Sequence, residues 1–182
     1  MCSGSSLIAG QSLIKAQKAL EAGTCPIDAV KELGPVMAAI NQAFPQKAFG
    51  EKNGPGILGV GSTIFAVKPG DGSAREQAAS CQKVLGGWAN IANEYATKRY
   101  RSNLINWGML PFLIPEGELP FANGDYIFIP DIRSAVEEKK TEISAYVVKD
   151  NELKEFTLRL GELTEDERTI ILKGCLINYY KG

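Results

Sequence analysis

The chain has 182 residues, with 20 Lys and Arg against 21 Asp and Glu and a formal net charge of −1. Hydrophobic residues make up 45% and charged residues 23%, which excludes a disordered chain, and the even charge leaves no basic footprint for nucleic acid. Every apolar run is far shorter than about 18 residues, so no membrane span is expected, and the N-terminus lacks the charged-then-apolar pattern of a signal peptide.

Residues 1–10 read as a loose end. Leu13, Ala16 and Leu20 recur at helical spacing over 12–22, and Gly23 stops the run. Pro26 suits a first helical turn. Ile27, Val30, Leu33, Met37, Ile40 and Phe44 carry the period on, with Gly34-Pro35 expected to break or kink it. Gln46 to Pro55 is loop-like. Residues 1–55 are therefore predicted to form a helical N-terminal extension.

From Gly56 the period changes. Ile57–Val60 and Thr63–Val67 predict short buried strands, and Lys68 to Gly72 a turn. Ser73–Leu85 predicts a helix ended by Gly86-Gly87, Trp88–Ala92 a strand, and Glu94–Trp107 a second helix. Strand, glycine turn, helix and strand make the grammar of a parallel sheet. Gly108 and Pro111 mark a helix stop and a rigid turn, while Trp107 and Phe112 are expected in the core. Asp125–Ile129, Glu142–Val148 and Glu155–Leu160 predict a meander. Thr164–Lys173 predicts a last helix, with Thr164 and Glu167 at capping-box spacing. The expected fold class is mixed α/β, with one domain over residues 56–182 behind the extension.

The chain contains no histidine, which removes the commonest general base and metal ligand. Proton transfer must fall to Ser, Tyr, Lys, Asp, Glu or Cys. Cysteines 2, 25, 81 and 175 form no C-x-x-C pair, so no zinc or iron–sulfur cradle is evident within the chain. They read as reduced thiols of a cytoplasmic protein, each acting as a small buried hydrophobe.

Gly70-Asp71-Gly72-Ser73-Ala74-Arg75-Glu76 is the most informative stretch. Its glycines let the backbone come close to a ligand. Ser73 at a helix start would face N–H groups that favour negative charge, so its hydroxyl could act as an oxyanion base toward carbon. Arg75 offers a planar fork for a carboxylate or phosphate. The competing reading is a plain capping box, Ser73 with Glu76, that merely starts a helix. A second stretch, Lys98-Arg99-Tyr100-Arg101-Ser102-Asn103, could attract an anion or form a solvated helix face.

Together these stretches resemble motifs of the aconitase superfamily. Gly70 to Glu76 is similar to its G-x-G-S-S-R-E pattern, and Arg101-Ser102-Asn103-Leu104 with Gly108 to Phe112 is similar to R-S-N-L…G-x-L-P. Lys173 to Tyr179 resembles the closing G-G-x-L-N-Y. The resemblance covers roughly residues 56–182 and is closest to the mobile swivel domain, which isopropylmalate isomerase carries as a small subunit. It implies a swivelling β/β/α fold and a dehydration–rehydration of a hydroxy di- or tricarboxylic acid. Ser73 falls on the family's base. Arg75 falls on its carboxylate-binding arginine. Gly72 and Ala74 would supply backbone N–H groups, and Arg101 either a second anion contact or an ion pair that fixes its helix.

The chain departs from the family where Ala74 replaces a substrate-binding serine, Gln77 a histidine after the motif glutamate, and Tyr100 a histidine before Arg101. The family's opening stretch is missing, which suggests a fragment or a divergent arrangement. A 4Fe-4S cluster, none of it held by this chain, is expected on a larger partner domain or subunit, without which the chain would be inactive. A non-catalytic anion-binding or regulatory module of the same fold is the alternative.

Overall fold

The computed structural model describes residues 5–46 and 58–181. Cys2 and most of the loop expected over 46–55 lie outside the described residues. The chain divides into two compact units. The first comprises Met1–Ser62, Leu119–Phe128 and Tyr146–Phe156; the second comprises Thr63–Glu118, Ile129–Ala145 and Thr157–Gly182.

In the first unit, α1 (Ser5–Glu21) begins earlier than the loose end allowed, because a lone Gly10 weakens a helix without stopping it. Gly23, at φ 72°, ends the turn that follows. Pro26 opens the short α2 (Pro26–Ala29), and α3 runs over Leu33–Ala43. The helix break falls at 30–32 rather than at Gly34-Pro35. Pro35 sits in the first turn of α3, where a missing N–H loses nothing. Ala16, Val30, Leu33, Met37 and Ile40 form a core with Phe128 and Val148. Phe44 meets the rings of Phe128 and Tyr146 edge-on, at 5.4 and 5.3 Å. The strand expected over 57–60 is absent from its described part, where the Val60 carbonyl accepts from the Gln17 side chain at 2.8 Å.

The second unit holds β1 (Ser62–Ala66), α4 (Arg75–Val84), β2 (Gly87–Ala92), α5 (Lys98–Asn106) and β3 (Leu110–Leu113). β2 and β3 pair in parallel, with Ile91 opposite Phe112, and α5 makes the crossover. β3 stands where a turn was expected. Its Pro111 precedes Phe112, where antiparallel pairing with β6 begins, so the missing donor is tolerated. β4 (Tyr126–Phe128) pairs antiparallel with β5 (Glu142–Lys149). β5 and β6 (Glu152–Leu160) are consecutive strands joined at Asp150-Asn151, both at positive φ as a tight hairpin demands. The six strands follow the order β1-β2-β3-β6-β5-β4. This mixed sheet with helices is the mixed α/β class expected.

α6 (Ile132–Glu137), α7 (Glu165–Leu172) and α8 (Leu176–Lys181) complete the chain. α7 carries the expected capping box between Thr164 and Glu167. Ile91, Leu104, Ile105, Met109, Phe112 and Leu158 are at most 2% exposed and form the heart of the second unit. Of the cysteines described, Cys81 is exposed and Cys25 and Cys175 are half-buried. None of these three is a buried core hydrophobe.

Candidate functional site

The glycine loop is pinned from behind. Ala96 N–H donates to the Pro69 carbonyl at 2.9 Å, and the N–H groups of Asn93 and Glu94 share the Val67 carbonyl. The Gly70 carbonyl accepts from the Thr97 hydroxyl at 3.2 Å and from Arg75 Nε at 3.0 Å. Gly70 has φ +97°, and a Cβ there would lie 2.5 Å from the Cβ of Tyr100. Only glycine meets both demands. Gly72, by contrast, faces open space.

The capping box expected between Ser73 and Glu76 does not form. α4 starts two residues after Ser73, its N-cap is Ala74, and no side chain caps it. Glu76 is held elsewhere, accepting from the Trp107 indole N–H at 2.7 Å. The Glu76 N–H meets the Asn103 side-chain oxygen at 3.2 Å once that amide is oriented to satisfy both its neighbours. Ser73 is left exposed.

Arg75 is half-buried, and its Nη2 also reaches the Asp71 carbonyl at 3.4 Å. It lines a cavity of about 390 Å³ with Pro69, Gly72, Ala74, Ala78 and the ring of Tyr100. Arg75 alone is charged among these lining residues; Ser73 is not one of them. The loop thus brings Arg75, Gly72 and Ala74 to one cavity and leaves Ser73 exposed outside its lining.

Tyr100 is 3% exposed, and its hydroxyl accepts from Gln82 Nε2 at 3.1 Å and Asn90 Nδ2 at 3.2 Å. Beside it, the Tyr95 hydroxyl donates to the Phe112 carbonyl at 3.1 Å. Burial first, and Tyr100 second, push Tyr95 far above the ordinary phenol range. This buried polar group was not expected. Its sequence signal was Thr97, a capping residue three before Tyr100, whose hydroxyl accepts from the Tyr100 N–H at 3.2 Å.

Arg101 lies away from that cavity's lining. Its Nη2 donates to the Glu162 carbonyl at 2.7 Å, and Nη1 is 3.4 Å from Glu167. Lys98 and Arg99 form the solvated face, while Tyr100 points inward. Gly108, at φ +69°, touches the third motif: a Cβ there would lie 1.8 Å from the Gly174 carbonyl oxygen. The three motif stretches therefore adjoin, through Glu76–Trp107 and through Gly108–Gly174.

No three His, Cys, Asp or Glu side chains gather to hold a metal ion among the described residues. No helix among them is long and apolar enough to cross a membrane.

Residues 62–117 match the family model described as the aconitase C-terminal domain. No curated protein matches the chain. The matched span holds the first two motifs and the loop, helix and strand framework that joins them. This part of the chain is similar to an aconitase-superfamily C-terminal domain.

Proposed function

Taking that partial match as premise, we propose that the chain is the swivel unit of a hydro-lyase acting on a hydroxy di- or tricarboxylic acid. The observation that carries this reading is the loop itself: an uncapped, exposed Ser73 two residues before α4, with Arg75 in the adjoining cavity. Arg75 binds a substrate carboxylate with the guanidinium edge not turned to the loop carbonyls. Ser73, as an oxyanion, takes a proton from the carbon beside a carboxylate. The electron pair of that C–H bond becomes the new double bond as the neighbouring hydroxyl departs. Backbone N–H groups of the Gly72 to Ala74 stretch steady the serine oxyanion.

The described side chains do not fit an iron–sulfur cluster, so that group is assigned to a cluster-bearing partner domain or subunit. Ala74, without a hydroxyl, and the small apolar neighbours Pro69 and Ala78 favour a substrate with an apolar group beside the carboxylate that Arg75 holds.

A second reading, a non-catalytic anion-binding module, draws support from the position of Ser73 outside the cavity lining. One experiment separates them. In the assembly with the partner, Ser73→Ala should lower turnover by about 10²–10⁴-fold and leave citrate affinity of the chain nearly unchanged. Undiminished turnover would leave only the binding reading. A thermal-shift titration with citrate, succinate and malate tests Arg75: Arg75→Gln should abolish any rise in Tm.

A further inference from the structure

The Gly70 carbonyl takes two donors at once, Arg75 Nε at 3.0 Å and the Thr97 hydroxyl at 3.2 Å. A carbonyl oxygen has two lone pairs, so these partners fill it. The Thr97 oxygen in turn accepts from the Tyr100 N–H at 3.2 Å, as the N-cap of α5. That bond uses a lone pair of the hydroxyl and leaves its single proton for Gly70. One chain of hydrogen bonds therefore runs from the first turn of α5, through Thr97 and Gly70, to the guanidinium that lines the cavity. Members of such a chain polarise and strengthen one another.

The consequence falls on Arg75. An arginine side chain has many rotamers, and ordering it on binding weakens affinity. Here the Gly70 carbonyl fixes Nε, and Nη2 is 3.4 Å from the Asp71 carbonyl. The Nε side of the fork is thus turned to the loop, and the edge between Nη1 and Nη2 is left for an acid group. The fork is aimed before a ligand arrives, provided that the Gly70 carbonyl stays in place. Two bonds from adjacent residues keep it there: Ala96 N–H on the Pro69 carbonyl, at 2.9 Å, and the Thr97 hydroxyl on Gly70 itself. Capping a helix does not by itself do this. Thr164 caps α7 through the same kind of bond, at 3.2 Å to the Glu167 N–H, and does not line that cavity.

We propose that Thr97 is a positioning residue, whose hydroxyl aims the Arg75 guanidinium into the cavity through the Gly70 carbonyl. Its part in function rests on the reading of Arg75 as the group that holds a substrate carboxylate.

Two readouts on the full chain test this. The Arg75 Nε–Hε resonance in ¹⁵N NMR reports the bond to Gly70 without any ligand, and calorimetric titration with citrate reports the fork. Thr97→Val keeps the shape of the side chain and loses the proton. It should move the Arg75 resonance and weaken citrate binding about tenfold. Thr97→Ser restores the hydroxyl and should return both readouts to wild-type values. Thr164→Val removes a cap of the same kind from α7 and should leave both unchanged, which separates positioning from a general loss of stability. Should Thr97→Val not fold, Thr97→Ala removes the same proton and carries the same expectations. An Arg75 resonance that stays in place once the hydroxyl is gone, or a citrate affinity that Thr164→Val lowers as much, would overturn the proposal. A wild-type chain that binds no citrate would overturn the carboxylate role of Arg75 instead, and the resonance alone would then decide for or against Thr97.

Discussion

The first and second motif stretches are built in opposite ways. Residues 71–74 are exposed and lightly bonded, and Gly72 faces open space. Residues 100–109 are largely engaged: Tyr100 in a buried polar group, Arg101 on Glu162 and Glu167, Trp107 on Glu76, and Gly108 against Gly174. A family motif can thus present chemistry in one place and join the framework in another. Residue type does not separate the two roles. Arginine stands in both stretches, but one guanidinium borders a cavity and the other ties two chain segments together.

Three substitutions probe this contrast, and a pH series tests an exposed ion pair outside both stretches. Gly108→Ala should have the largest effect, because it adds a clash at 1.8 Å to a left-handed backbone. A loss of more than about 4 kcal/mol in urea unfolding is expected, the size of a backbone that must move. Tyr100→Phe removes the acceptor that Gln82 and Asn90 share and should cost about 1–3 kcal/mol by the same measurement. Ser73→Ala should change stability by less than about 0.5 kcal/mol, since an exposed hydroxyl that caps nothing supports nothing. A larger loss would mean that the loop is part of the framework and would erase the contrast.

The smallest effect concerns pH. The hydrogen bond from Lys139, and then its charge, hold the Glu165 carboxyl below the ordinary carboxylate range. A lowered acid contributes stability above its unfolded pKa and loses it as pH falls through the folded value. Tm should therefore decline on acidification below the ordinary carboxylate range. Lys139→Ala should make that decline shallower, and added salt should do likewise because the pair is exposed.

Periodicity located the helices of the first unit, because Ala16 and Leu20, then Leu33, Met37 and Ile40, each mark a buried face. It failed where a local rule had two outcomes. Pro35 marked a break but was equally at home in a first turn. Pro111 suggested a turn but stood at a position where β3 needs no donor. The S-x-x-E spacing of Ser73 and Glu76 fitted a capping box, yet Trp107, 31 residues away, held the glutamate. The real capping box at Thr164 has the same spacing, and there Glu167 keeps Oε2 on the Thr164 N–H while only its Oε1 turns to distant Arg101. α6 and α8 escaped notice because six residues are too few to show a period.

The backbone junction of Gly108 with Gly174 also bears on synthesis. A ribosome delivers both glycine loop and second motif well before residue 174 emerges, so a nascent chain holds the first two motifs without the carbonyl that seats against Gly108. That seating closes a loop of 66 residues and pays its entropy late. Until then the stretch carrying Arg101 lacks the backbone that seats against Gly108, and the three motifs can gather only once residue 174 has left the ribosome.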